Sequence, residues 1–400
     1  MVGTEDRIEK GARRYYLAIV ALFMGSMVCF GAEYCVQPIV PVLAESFGLD
    51  PTRASMAVSA GTLGMSAAMV MIAIFARRFP RRQVMSCGLA GAAVLAACIS
   101  ISENFHLVLL CRLLQGILLA GFPAMAIAYI NEEFSPAIIG AVVGIYVSGN
   151  SVGGLVGRVL LSTLTDFFSW RYALLVLSAV YFVMAVLFFF LLPKEKFQRK
   201  ARKRAGIREL FRILRNRRLL AVYFIGMSLL GTFVCNYNFI SYVLLAEPYS
   251  LSQTAIGFVY LLYLLGTLSS AVMGVMTDRK GNGMVVVVSL LIMAAGMMVS
   301  MLSPLLAKLA GLGIMTFGFF GAHSAACSWV GKLDSADKAS LSALYMLFYY
   351  FGASVYGSAG GIFLASFGWN GIVLFSMGII FMALCAALWL RRAVQVEVKS

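Results

Sequence analysis

The sequence predicts an all-α membrane protein of twelve transmembrane helices in two pseudo-symmetric six-helix bundles. Three observations carry this: apolar runs of spanning length, positive charges gathered on one side of them, and a sequence repeat at an offset of 199 to 201 residues.

Composition sets the class. Of 400 residues, 61% are hydrophobic and 12% charged, more apolar surface than a soluble core of that length buries. The net charge of +15 would point to an anionic partner in a soluble protein, but in a membrane protein its placement matters most.

Runs of about 20 residues fall near 16–43, 54–76, 84–101, 106–130, 138–161 and 172–192. Six more lie near 219–245, 254–277, 284–302, 305–330, 339–365 and 371–390. The domains expected are therefore an N-terminal bundle, 1–193, a basic linker, 194–218, and a C-terminal bundle, 219–400. A basic run from Arg7 to Arg14 precedes the first apolar stretch, which is too long for a signal-peptide core and reads as a retained span.

Of the 32 Lys and Arg, 27 fall on the side of the termini, Arg53, Arg171 and Lys308 on the other, and Arg112 and Arg158 inside spans. The positive-inside rule then places both termini and the linker in the cytoplasm. The segment from Ala73 aligns with that from Gly274, and Tyr146, Gly153 and Trp170 align with Tyr345, Gly352 and Trp369.

The linker holds twelve Lys or Arg in 25 residues. Within it Ile207, Leu210, Phe211 and Leu214 mark one face of a short amphipathic helix suited to an anionic inner leaflet. A solvated basic tether is the alternative, and nucleic-acid binding is disfavoured because no folded soluble module accompanies the charge.

The eight cysteines lie in apolar spans with no C-x-x-C and no histidine at ligand spacing, so we expect buried free thiols and no metal site. There is no P-loop and no Ser-His-Asp or nucleotide signature, so neither an enzyme nor a cofactor is expected.

Glu33 is the one acid well inside a span. It lies about 20 Å from the outer end near Ser46, and Arg112 about 9 Å inside His106, depths that predict no direct pairing without a tilted helix or a bridging water. Glu33 either exchanges protons or recognises substrate as a cavity carboxylate, and a buried arginine is costly unless paired. Arg158, near the outer end of its span, either snorkels to the interface or binds an anion or gates. Candidates of lesser weight for substrate contact are His323, Gln37, Asn150, Asn236 and Asn238, with Tyr349 among the aromatic residues Tyr345, Phe348, Phe351 and Tyr356.

Three motifs resemble those of the major facilitator superfamily, along essentially the whole chain. That family's loop after the second span reads G-x-x-x-D-R-x-G-R-[RK]. The second-half copy keeps Gly274, Asp278, Arg279 and Gly281, whereas the first has Ala73, Arg77 and Pro80 where Gly, Asp and Gly belong. The resemblance implies a latch between helix ends carried by Asp278 and Arg279, leaving Arg78 to Arg82 mainly as topology determinants. Arg112 to Gly116 is similar to R-x-x-x-G, whose arginine the family associates with proton coupling. Gly140, Gly149, Gly153 and Gly157 match the antiporter signature G-x8-G-x3-G-P-x-x-G-G, which departs at Gly154 and Arg158. In the family that glycine face meets the other half.

This variant and the run around Gln37 resemble the acriflavine-sensitivity-type branch of bacterial exporters. The resemblance implies a monomeric carrier of a bacterial inner membrane, exporting small amphipathic compounds or drugs by proton antiport. Glu33 and Arg112 would form the coupling site, and the proton gradient would be the only energy source. The alternative is a metabolite importer of the same fold.

Overall fold

The computed structural model describes residues 7–75, 80–195, 207–334 and 338–399. They fold as α1 (Arg13–Tyr34), α2 (Val40–Phe47), α3 (Pro51–Phe75), α4 (Arg81–Ile101), α5 (Phe105–Glu133), α6 (Ile139–Phe167) and α7 (Trp170–Leu191). After the linker helix α8 (Ile207–Arg215) come α9 (Arg217–Leu245), α10 (Gln253–Val259), α11 (Leu264–Lys280), α12 (Asn282–Ser300), α13 (Leu305–Val330) and α14 (Lys338–Lys399). Ten stretches among the described residues are long and apolar enough to cross a membrane, and one, Ser340–Val394, is two crossings separated at Gly368. The 25-residue α3, about 37 Å long, makes the twelfth crossing.

Helices dominate because only a helix satisfies its own backbone in lipid. Asn104, Ser169, Asn216 and Ser252 mark loop exits, each side chain accepting an amide of the first turn.

Two spans that the hydropathy pattern draws as single helices are interrupted. The first breaks into α1 and α2 at a 3-10 turn, Gln37–Ile39, where Pro38 and Pro41 withhold amides from a continuous helix. The eighth breaks at a 3-10 turn, Tyr260–Tyr263, between α10 and α11.

The repeat seen in sequence is also a repeat of packing. A Cβ on Gly153 would lie 2.7 Å from the carbonyl carbon of Met27, and one on Gly352 the same distance from that of Met227. Likewise, a Cβ on Gly31 would lie 3.1 Å from Gly153 O, and one on Gly231 2.6 Å from Gly352 O. Small residues thus bring α1 onto α6 and α9 onto α14 by one geometry used twice.

At the side of the termini, the first-loop arginines make specific contacts. Arg81 pairs with Glu132 at 2.7 Å, and Arg82 donates to Phe189 O and lies 4.3 Å over the Phe189 ring. Glu195 accepts the amides of Arg81 and Arg82 at 3.0 and 3.2 Å, placing a carboxylate at the positive end of α4. Arg77 and Arg78 lie outside the described residues. Ile8 pairs with the α5–α6 connection, its amide donating to Glu133 O at 2.8 Å and its carbonyl accepting from Ser135 at 3.1 Å.

The linker helix forms as the apolar spacing predicts, but it presents a different face. Ile213 is the buried residue, Leu210 and Leu214 pack partly against the core, and Phe211 points outward at 64% exposure. Arg212 and Asn216 reach Asp334 at 3.8 and 3.0 Å, tying α8 to the second half. The cysteines are free, but Cys87 and Cys385 are exposed rather than buried because they sit on outward helix faces.

Gly153→Val would force α1 and α6 apart. The expected cost is about 1–3 kcal/mol, read as a lower melting temperature in detergent; an unchanged melting temperature would contradict the packing role assigned to Gly153.

Candidate functional site

Ending α1 at Tyr34 leaves its last carbonyls without intrahelical partners. Arg112, projecting from α5 and 1% exposed, supplies them. Its Nη2 donates to Glu33 O, its Nη1 to Ala32 O at 3.0 Å, and its Nε to Ala57 O of α3 at 2.8 Å. Gln115, one turn along α5, accepts from Nη1 at 2.5 Å and donates to Ala92 O of α4 at 2.9 Å. The guanidinium is therefore a cation at a helix C-terminus, tying four helices together.

Glu33 and Arg112 meet, contrary to the depths counted along the sequence. Arg112 Nη2 lies 4.0 Å from Glu33 Oε1 with both residues 1% exposed. The counting failed because the first span is a broken helix rather than one straight rod, and because the loops from which depth was measured need not share a level. Both carboxylate oxygens of Glu33 are buried without a hydrogen bond. Room for the pair comes from Gly61, whose Cβ would lie 2.6 Å from Glu33 Oε1 and 2.9 Å from Arg112 Nη2.

Arg158 does not snorkel. It is 3% exposed, because α6 turns it inward between the two helix breaks. Nε donates to Gln37 Oε1 at 3.0 Å and Nη1 to Gly154 O at 2.7 Å. Its Cζ lies 4.9, 5.0 and 4.7 Å from the ring centres of Tyr34, Tyr260 and Tyr263. Gln37 in turn donates to Asn238 Oδ1 at 2.9 Å, and Asn238 donates to Gly357 O at 3.1 Å, so the network crosses from the first half to the second.

The other candidates separate. Asn236 binds Thr232 O and Ser376 at 2.8 and 2.9 Å, which joins α9 to the last crossing within the second half. His323 stacks on Tyr349 with centroids 4.4 Å apart and bonds the Tyr345 hydroxyl at 3.1 Å. Asn150 is partly buried on α6 with its Oδ1 unbonded. Gly149, Gly153 and Gly157 meet Phe23, Met27 and Gly31 of α1, so this glycine face packs within its own half and not against the other.

Across the halves, the side away from the termini is closed. Ser162 donates to Gln253 O at 2.5 Å, Gln253 to Pro38 O at 2.9 Å, and the Thr254 amide to Asp166 at 3.1 Å. Further in, Ser59 and Ser358 share a hydrogen bond at 2.6 Å, and Ser66 donates to Leu347 O at 2.9 Å. Toward the termini, Gly140 and Gly144 of α6 and Gly274 of α11 face open space. Asp278 and Arg279 are exposed and form no ion pair among the described residues, so no latch is made among them. Gly281 turns the chain out of α11 at φ 80°, a conformation that glycine alone adopts freely.

Sequence reasoning missed Gln115, Gly61, Tyr34, Tyr260 and Tyr263. Gln115 was in view, one helical turn from Arg112. The tyrosines carried no signal until the breaks in the first span, after Tyr34, and in the eighth, at Tyr260–Tyr263, set them beside Arg158.

Two repeated six-helix halves, closed on one face around buried charges, define a membrane transporter. The sequence profile of the Major Facilitator Superfamily matches residues 22–240 and 228–400, and the chain belongs to that family. It is 35% identical over 385 residues to an uncharacterised MFS-type transporter, YybF, of Bacillus subtilis, covering 96% of this chain and 94% of that protein. It is 34% identical over 387 residues to the inner membrane transport protein YnfM of Escherichia coli, covering 96% and 93%. The fold is similar to that of a bacterial homologue of the human lysosomal transporter Spinster, solved inward-facing and unoccupied, with a TM-score of 0.81 at 15% identity over 98% and 99% of the two chains.

Replacing Ser59 and Ser358 by cysteine, in a background lacking the eight native cysteines, should allow an oxidative crosslink that arrests transport until reductant is added. Uninterrupted transport by crosslinked protein would show that this contact does not open during the cycle.

Proposed function

We propose that this carrier is a proton-coupled secondary transporter, working by alternating access, with Glu33 as the proton-exchanging group. The observation that carries this reading is the unequal bonding of the central pair. Arg112 is held by three backbone carbonyls and Gln115, whereas the buried carboxylate of Glu33 makes no hydrogen bond among the described residues. Neutralising Glu33 therefore leaves Arg112 anchored, so charge at this point can change without dismantling the bundle.

The reading continues with export of small amphipathic compounds by proton antiport, supported by the fifth-span glycines and the aromatic surfaces around Tyr349. The charge bias supports cytoplasmic termini in a bacterial inner membrane. The closed face would then be the periplasmic one, and the latch residues Asp278 and Arg279 would engage when the cytoplasmic side shuts. The carrier acts as a monomer and without a cofactor. A second reading, uptake of a substrate together with a proton, is favoured by Arg158, a buried cation with no carboxylate partner among the described residues.

The test is flux in proteoliposomes under an imposed pH gradient. Substrate and protons moving in opposite directions support export, and movement in the same direction supports the second reading. Glu33→Gln is expected to lower proton-driven flux at least about tenfold, or about 1.4 kcal/mol, while leaving substrate exchange without a gradient measurable. A wild-type rate of proton-driven flux in that variant would remove Glu33 from the coupling step. Arg112→Lys should lose folded protein or transport, since an ammonium cannot reproduce the planar fork that serves several acceptors at once.

A further inference from the structure

Among the described residues the first half buries two guanidiniums, Arg112 and Arg158, and two carboxylates, Glu33 beside Arg112 and Glu133 at the end of α5. Arg158 is left with a positive charge, 3% exposure and no acidic partner among the described residues. A buried cation of this kind is costly unless an anion or strong acceptors accompany it. Two neutral oxygens, from Gln37 and Gly154, take Nε and Nη1. Nη2 makes no hydrogen bond among the described residues, yet it is not among the sealed, unbonded atoms.

A second, independent observation points to the same place. Of the crossings that run between the two faces, the first and the eighth are interrupted by 3-10 turns, at Gln37–Ile39 and Tyr260–Tyr263. Both breaks supply Arg158's surroundings: Gln37 from one, Tyr260 and Tyr263 from the other. Interrupted helices in a carrier are where substrates are held, because the freed polar groups line a site instead of a helix interior; these two breaks lie just inside the closed side, where Gln253 binds Pro38 O.

We propose that Arg158 is the seat of an anionic group on the transported compound, an organic carboxylate whose apolar or aromatic body lies among Tyr34, Tyr260 and Tyr263. A guanidinium offers parallel donors to a planar carboxylate, and the tyrosine rings that now flank the cation supply apolar contact for the rest of the molecule. The proposal rests on the transporter reading above but not on the direction of transport. It gives Glu33 and Arg158 separate tasks, one for the proton and one for the substrate.

The test is direct binding to the purified full-length protein in lipid nanodiscs. Benzoate, 1-naphthoate and octanoate are compared with benzylammonium and benzyl alcohol by calorimetry. The expected result is binding confined to the carboxylates. Arg158→Gln should weaken it at least about tenfold, and Arg158→Lys should recover part of the loss. Because Arg158→Gln removes a packed side chain, Gln37→Glu is the companion variant: it keeps the arginine and sets a carboxylate against it, and should weaken anion binding equally. Selective binding of the amine, absence of carboxylate binding, or unchanged affinity in either Arg158→Gln or Gln37→Glu would overturn the proposal. If carboxylates fail to bind while Glu33-dependent proton flux of another compound persists, this site is wrong and the transport reading stands. Carboxylate binding without any proton-driven flux would uphold the Arg158 site and remove proton coupling instead.

Discussion

A helix that stops inside a membrane must hand its last carbonyls to something, and here it hands them to Arg112. Every unbonded backbone group in lipid costs several kcal/mol, so the break after Tyr34 is tolerable only because a guanidinium reaches Ala32 O and Glu33 O from α5. That one arrangement sets the position of α1, brings α3 and α4 in through Ala57 and Gln115, and leaves the Glu33 carboxylate beside a cation that does not depend on it. The unbonded acid and the anchored base are two results of a single truncated helix.

The same economy operates at the side of the termini. Arginines gathered there also hold the chain together: Arg81 closes on Glu132, and Arg82 on Phe189. The start of the linker is fixed to the first half through Glu195, and α8 is fixed to the second half through the Arg212–Asp334 pair. The linker helix is thus a fitting of the C-terminal bundle, with the Phe211 side chain left to the outside.

Twelve crossings and the duplication were legible in the sequence because each is written in composition and spacing, which lipid constrains directly. The pairing of Glu33 with Arg112 was not. Depth counted at 1.5 Å per residue assumes an unbroken helix, and Pro38 and Pro41 were the overlooked warning that the first span breaks. No proline marks the break at Tyr260–Tyr263, so the ring cage around Arg158 was invisible until distant residues met. Of the α6 glycines, Gly149, Gly153 and Gly157 pack closely while Gly140 faces open space, and sequence spacing cannot say which neighbour approaches; it is α1.

The contacts of Arg158 divide by half. Its hydrogen bonds go to Gln37 and Gly154, and the Tyr34 ring is also of the first half, whereas Tyr260 and Tyr263 belong to the second. Hydrogen bonds are directional and break over short displacements, but a ring face beside a cation is a soft contact that weakens gradually. Under the proposed alternating access, rocking of the bundles would keep the arginine with Gln37, Gly154 and Tyr34 of the N-terminal half, while Tyr260 and Tyr263 would slide away from it. One half would carry the fixed charge, and the other would be the shutter.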